Sequence, residues 1–207
     1  MKSFKRNQIE EAISRAINGR PLPAPTLRIK IKRLLDLDRA KQPRSASVAK
    51  YAFYTSEKPG KGMESYFSEY EAFALLMGVR LLDHGLPQGF VVAILRSARS
   101  KLETCHSEIM RMDPKKLFVS KRDQVPSPGD LVVSNVRPAY LLIVSDQIGE
   151  SPTEEPYPCV FLNHADAFRF QLGKPGRSCS WFELVSPAWV LRQNLEHSKP
   201  RPRGRSS

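Results

Sequence analysis

The stretch Pro25-Thr-Leu-Arg-Ile-Lys-Ile-Lys-Arg-Leu-Leu-Asp-Leu-Asp-Arg39 decides how the first half of the chain is read. At 100° per residue, Leu27, Ile31, Leu34 and Leu35 fall within one arc of roughly a third of the circumference. Arg28, Lys32 and Arg33 lie outside that arc, and Lys30 sits on a further flank. Pro25 suits the first turn, where a missing backbone N–H costs no helix bond. The segment is expected to be a helix that packs one face and presents cations on the other. A helix lying in the major groove of DNA needs those two faces. An amphipathic helix with a merely solvated basic face has the same pattern, so periodicity leaves both readings open.

Upstream, Asn7 followed by Gln8 to Ile17 reads as a capped helix, with Ile9, Ile13 and Ile17 in one stripe. Asn18-Gly19 ends it, and Pro21 and Pro23 hold the next residues extended. Downstream, residues 40–50 form a polar, basic connector. Tyr51-Ala-Phe-Tyr54 and Glu64-Ser-Tyr-Phe67 then flank Ser56-Glu-Lys-Pro-Gly-Lys-Gly-Met63, which predicts a β-hairpin with Lys58 and Lys61 at its tip, within reach of a backbone phosphate. Ser68 and Glu71 have capping-box spacing. The helix they open should run through Phe73, Leu76, Met77 and Leu81 to His84, with Gly85 stopping it. It is apolar on most sides and should be central. Pro87 restarts a long helix to about Met112, striped by Val91, Leu95, Ala98, Leu102, Cys105, Ile109 and Met112.

The order helix, turn, basic helix, hairpin, capped helix, glycine turn, helix resembles the winged-helix DNA-binding domain of MerR-type regulators and the related excisionase-like proteins. The matching residues are Thr26-Leu27-Arg28 at the start of the second helix, Tyr66 before Ser68-Glu-Tyr-Glu71, and Leu82-Asp-His-Gly-Leu-Pro-Gln-Gly-Phe90. The resemblance covers roughly residues 4–102 of 207. It implies that Arg28 and Lys32 face the groove, while Lys58 and Lys61 contact phosphate from the wing. Three features depart from the family pattern. Gly19-Arg-Pro-Leu-Pro-Ala-Pro25 replaces the usual Gly-Val-Ser turn, the stretch from Arg39 to Tyr51 is long, and no long dimerisation helix with ligand cysteines follows. Metal or thiol sensing of the family's usual kind therefore has no support.

From Pro114 the texture changes: nine of the 17 prolines lie between 114 and 187, and the apolar runs shorten. Strands are expected at Leu117–Ser120, Asp130–Asn135, Tyr140–Ser145, Cys159–Asn163, Phe168–Leu172 and Trp181–Val185, with a closing helix over Ala188–His197. An acidic loop over Glu150–Glu155 interrupts them. Pro128-Gly-Asp-Leu-Val-Val and Arg137-Pro-Ala-Tyr-Leu-Leu-Ile-Val look like the opening strands of SH3-like barrels, a look that PemK-type toxins share. The expected fold class is α+β: a winged helix-turn-helix domain over 1–112, a small mostly-β domain, SH3-like or a rolled sheet, over 113–198, and a disordered basic tail over 199–207.

Charge points in the same direction as the helix order. The chain carries 33 Lys and Arg against 21 Asp and Glu, a net +12. Residues 1–50 hold +9 and residues 171–207 hold +5, while the two middle stretches are each −1. Clustered cations favour a polyanionic partner, because each neutralised phosphate releases counterions; a charge that only keeps the protein soluble is the plainer alternative. No apolar run approaches the ~18–20 residues that span a bilayer, and no signal peptide is visible, so no membrane partner and a cytoplasmic location are expected. Cys105, Cys159 and Cys179 have neither CxxC nor Cys/His ligand spacing, so no metal site is expected. His164 and Asp166, in Asn163-His-Ala-Asp166, are the one compact acid/base pair of the C-terminal half, but a turn of Asn, His and Asp is usually only a turn. No nucleotide-loop or zincin motif is present, and no catalytic residue or cofactor is assigned.

The expected function is a DNA-binding transcriptional regulator, binding duplex DNA through Thr26, Arg28, Lys30, Lys32 and Arg33 on the basic helix and Lys58 and Lys61 on the wing. A homodimer, and a protein or small-molecule effector at the β domain, are compatible with that function, and the sequence fixes neither. The alternatives are a protein-interaction adaptor without DNA binding and a hydrolase built on the β domain.

Overall fold

The computed structural model of the chain describes residues 2–40, 49–55, 65–113, 138–148, 151–152, 156–174 and 176–200. Among them are helices α1 (Arg6–Asn18), α2 (Pro25–Ala40), α3 (Glu69–Asp83), α4 (Gln88–Arg111), α5 (His164–Leu172) and α6 (Val185–His197). The strands are β1 (Phe4–Lys5), β2 (Tyr66–Phe67), β3 (Tyr140–Ile148), β4 (Ser151–Pro152), β5 (Tyr157–Phe161) and β6 (Arg177–Glu183). The mixed helix and strand content, with two small antiparallel sheets, is α+β. The expected strands at 117–120 and 130–135 lie outside the described residues.

The chain divides into two units, Met1–Glu103 with Pro187–Ser207, and Thr104–Ser186. The first unit therefore takes most of α6, which the sequence reading had put with the β domain. Glu69 of α3 lies 3.7 Å from Arg192 of α6, and the Gln8 amide donates to the Ser198 carbonyl at 3.0 Å. The second unit begins inside α4.

In the first unit the helical periodicities are borne out. Leu27, Ile31, Leu34 and Leu35 of α2 are buried, as are Ile9 and Ile13 of α1, though Ile17 is exposed. The start of α1 falls two residues early: Lys5 rather than Asn7 is the cap, and its N–H donates to the Gln8 side chain at 3.0 Å. Helix α3 is buried at Tyr70–Val79 and Leu81, the central position its composition requires. The Ser68 hydroxyl accepts the Glu71 N–H at 3.2 Å while the Glu71 carboxylate accepts the Ser68 N–H at 2.7 Å. Gly85, at φ +86°, ends the helix in the left-handed conformation that glycine tolerates best, and the Leu86 N–H reaches back to the Leu81 carbonyl. The stripe of α4 is buried from Val91 to Ile109.

The expected hairpin is not formed by its two expected strands. Tyr66–Phe67 pairs antiparallel with Phe4–Lys5, and residues 51–55 make no strand. The reason is that side chains hold the backbone groups a ladder would use. Asp38 accepts the Ala52 N–H at 2.9 Å and the Phe53 N–H at 3.0 Å, and Arg99 donates to the Tyr51 carbonyl at 2.7 Å and to the Tyr54 carbonyl. Arg96 Nε lies 2.8 Å from Asp38 Oδ1, with the carboxylate at 0% and the guanidinium at 5% exposure. A buried ion pair thus ties the end of α2 and the middle of α4 to an aromatic loop.

In the second unit β3 is central, pairing antiparallel with β5, β6 and the short β4. Leu141 to Val144 are buried on both faces, which explains the unbroken apolar run in the sequence. Helix α5 lies against the face of Leu142 and Val144 through Ala167. Here the expected strand Phe168–Leu172 is corrected to helix. The Asn163 side chain accepts the Asp166 N–H at 2.7 Å, an N-cap that starts α5, so Asn163–Asp166 is a helix start rather than a turn.

Candidate nucleic-acid interface

The cationic face of α2 is positioned by what lies under it. Ala24 accepts the Arg28 N–H at 3.2 Å, closing the first turn behind Pro25. Before it, Gly19 adopts φ +67° and donates to the Arg15 carbonyl, and the Ser14 hydroxyl donates to the Leu22 carbonyl at 3.3 Å. This turn swings the chain so that α2 packs on both α1 and α3.

With Leu27, Ile31, Leu34, Leu35 and Asp38 facing inward, Thr26, Arg28, Lys32 and Arg33 are exposed together on the outer side. Arg28 is steered by Glu10 of α1: its Nε stands 3.8 Å from Glu10 Oε2, whose other oxygen lies 2.7 Å from Arg6 Nε. The guanidinium remains about half exposed, so Glu10 orients it without enclosing it. Lys30 stands apart from the other four, because its ammonium is ion-paired with Asp83 at the end of α3. Lys58 and Lys61 lie outside the described residues.

Three exposed residues of this region were not singled out from sequence. Arg20 lies in the turn before α2, Asp36 lies on the outer face, and Ile29 is 48% exposed among the cations. The division into units also sharpens the charge pattern. The first unit holds 24 Lys and Arg against 11 Asp and Glu, +13, and the second holds 9 against 10, −1. The cations of residues 1–50 and of residues 187–207 belong to one unit.

The second unit presents a different surface. His164 stacks on Phe168, with ring centroids 6.0 Å apart, and touches Tyr140 and Trp181 at 5.9 and 5.6 Å. The Trp181 indole donates to Gln171 at 2.8 Å. Asp166 is engaged by the Asn163 amide and lies 3.6 Å from Arg169. His164 is thus set among rings and Asp166 in the cap of α5. Leu162, Phe168 and Leu172 are exposed apolar residues nearby. Among the described residues there is no group of three or more His, Cys, Asp or Glu able to hold a metal ion, and no helix long and apolar enough to cross a membrane. Burial, with Glu108 and Glu183 adding to it, pushes the Cys105 thiol up to about 12.

No family model matches the chain, and no curated protein matches its sequence significantly.

Proposed function

We propose that this protein is a DNA-binding regulator of the winged-helix kind that MerR-type proteins typify, holding duplex DNA against the outer face of α2. The observation that carries this reading is the set Arg28, Lys32 and Arg33, exposed together on one helix whose opposite face is buried, within a unit of charge +13. A helix fits the width of the major groove, and cations on its outer side meet phosphates and base edges there. The Arg28 guanidinium, 3.8 Å from Glu10, stays about half exposed and open to a phosphate.

Lys58 and Lys61, which lie outside the described residues, would in this reading add contacts to the DNA backbone. The near-neutral second unit, a small SH3-like or rolled sheet in this reading, would serve as the effector or protein-interaction module of a cytoplasmic regulator. Its exposed Leu162, Phe168 and Leu172 favour a protein partner there. Binding of a fluorescein-labelled duplex, followed by anisotropy at low salt, tests the reading. Arg28→Ala with Lys32→Ala is expected to weaken binding about tenfold or more. Unchanged affinity would refute it.

A further inference from the structure

We infer that Ile29 reads a thymine methyl group in the major groove, so that the preferred duplex carries an A·T pair under the middle of α2; this rests on the duplex-binding reading above. The buried residues of α2 define an arc centred near Ile31 and Asp38, and the position about 180° from that centre is Ile29. It is therefore the residue that meets the groove floor if the outer face of α2 is the one that enters. Thr26, Lys32 and Arg33 surround it, all exposed, and Arg28 flanks them. Along the helix Ile29 is the one large aliphatic side chain among exposed residues, at 48% exposure.

That placement has a specific chemical complement. Of the groups that base pairs present in the major groove, donors and acceptors predominate, and the apolar exception is the thymine C5-methyl. The cations around Ile29 bring in the phosphates whatever the sequence. An aliphatic side chain contributes nothing to that attraction, and gains only where apolar surface is removed from water. Covering one methyl group is worth about a threefold to fivefold preference. Ile29 thus supplies discrimination where Arg28, Lys32 and Arg33 supply attraction.

The experiment selects duplexes from a randomised 20-base-pair library with the full chain, then replaces each thymine of the enriched duplex singly by deoxyuridine, which lacks the C5-methyl. The wild type is expected to lose about threefold to fivefold at one position or one symmetric pair. Ile29→Ala should bind the thymine and deoxyuridine duplexes equally, Ile29→Val should keep part of the difference, and both should melt at the wild-type temperature. Equal loss in wild type and Ile29→Ala, no loss at any thymine, or selection of no sequence while salt-dependent binding persists overturns the inference and leaves duplex binding standing. Absence of duplex binding by the wild type overturns both.

Discussion

Asp38 illustrates how much of this protein depends on single buried groups. Its carboxylate has no exposed surface, accepts the N–H groups of Ala52 and Phe53, and pairs with Arg96. Asp38→Ala would leave a buried guanidinium without its carboxylate and two backbone donors unpaired. The expected cost is about 3–5 kcal/mol in urea unfolding; a change below about 1 kcal/mol would show that the pair is dispensable. Tyr54, on the same loop, is the opposite case. Its ring is buried beneath Arg39, with the guanidinium 4.3 Å from the centroid, but its hydroxyl has no hydrogen-bond partner among the described residues. Tyr54→Phe should therefore be neutral or stabilising within about 1 kcal/mol. Burial also raises the Tyr54 phenol above its ordinary 10.0, against the opposing charge of Arg39. The folded state then keeps a proton that the unfolded chain releases, so stability falls as pH rises past that ordinary value. Tyr54→Phe should lessen this alkaline loss in melting curves, and an identical pH dependence in the two proteins would contradict the assignment. The residue-level site was only partly legible. Arg28, Lys32 and Arg33 follow from helical spacing alone, whereas the engagement of Lys30 by Asp83 joins residues 53 apart in the chain, which no local pattern records.

Elements were legible where their signals are local. Helix α3 announces itself through Ser68 and Glu71, and the two reciprocal hydrogen bonds are present. Ser68→Ala should cost about 1 kcal/mol in thermal or urea unfolding, the usual loss of an N-cap; no loss would mean that Thr55, which donates to Glu71 at 2.7 Å, organises the helix start unaided. Two elements were misread, each for a physical reason. The Tyr51–Tyr54 segment has strand-like aromatics, but Asp38 and Arg99 occupy its backbone groups, and both reach it from distant helices. Phe168-Arg-Phe-Gln-Leu172 alternates like a strand, yet Asn163 starts a helix that buries Ala167 and leaves Phe168 and Leu172 exposed. Alternation normally marks a half-buried strand. Here the apolar residues at i and i+4 lie on the outside of a helix.

For the whole molecule, the net charge of +12 understates what matters, because it averages a strongly basic unit with a nearly neutral one. The sequence located the charge at the two ends of the chain, but only folding assigns Pro187–Ser207 to the same unit as α2. If α2 meets duplex DNA as proposed, its exposed Arg28, Lys32 and Arg33, in a unit of charge +13, predict electrostatic, salt-sensitive association. The most direct test is the slope of log affinity against log salt for the wild type and for Arg28→Ala with Lys32→Ala, measured by anisotropy on one labelled duplex. Each lost phosphate contact should flatten the slope by about 0.9, so a drop approaching 1.8 is predicted. Identical slopes for the two proteins, or no salt-dependent binding by the wild type, would contradict the assignment of this face to DNA.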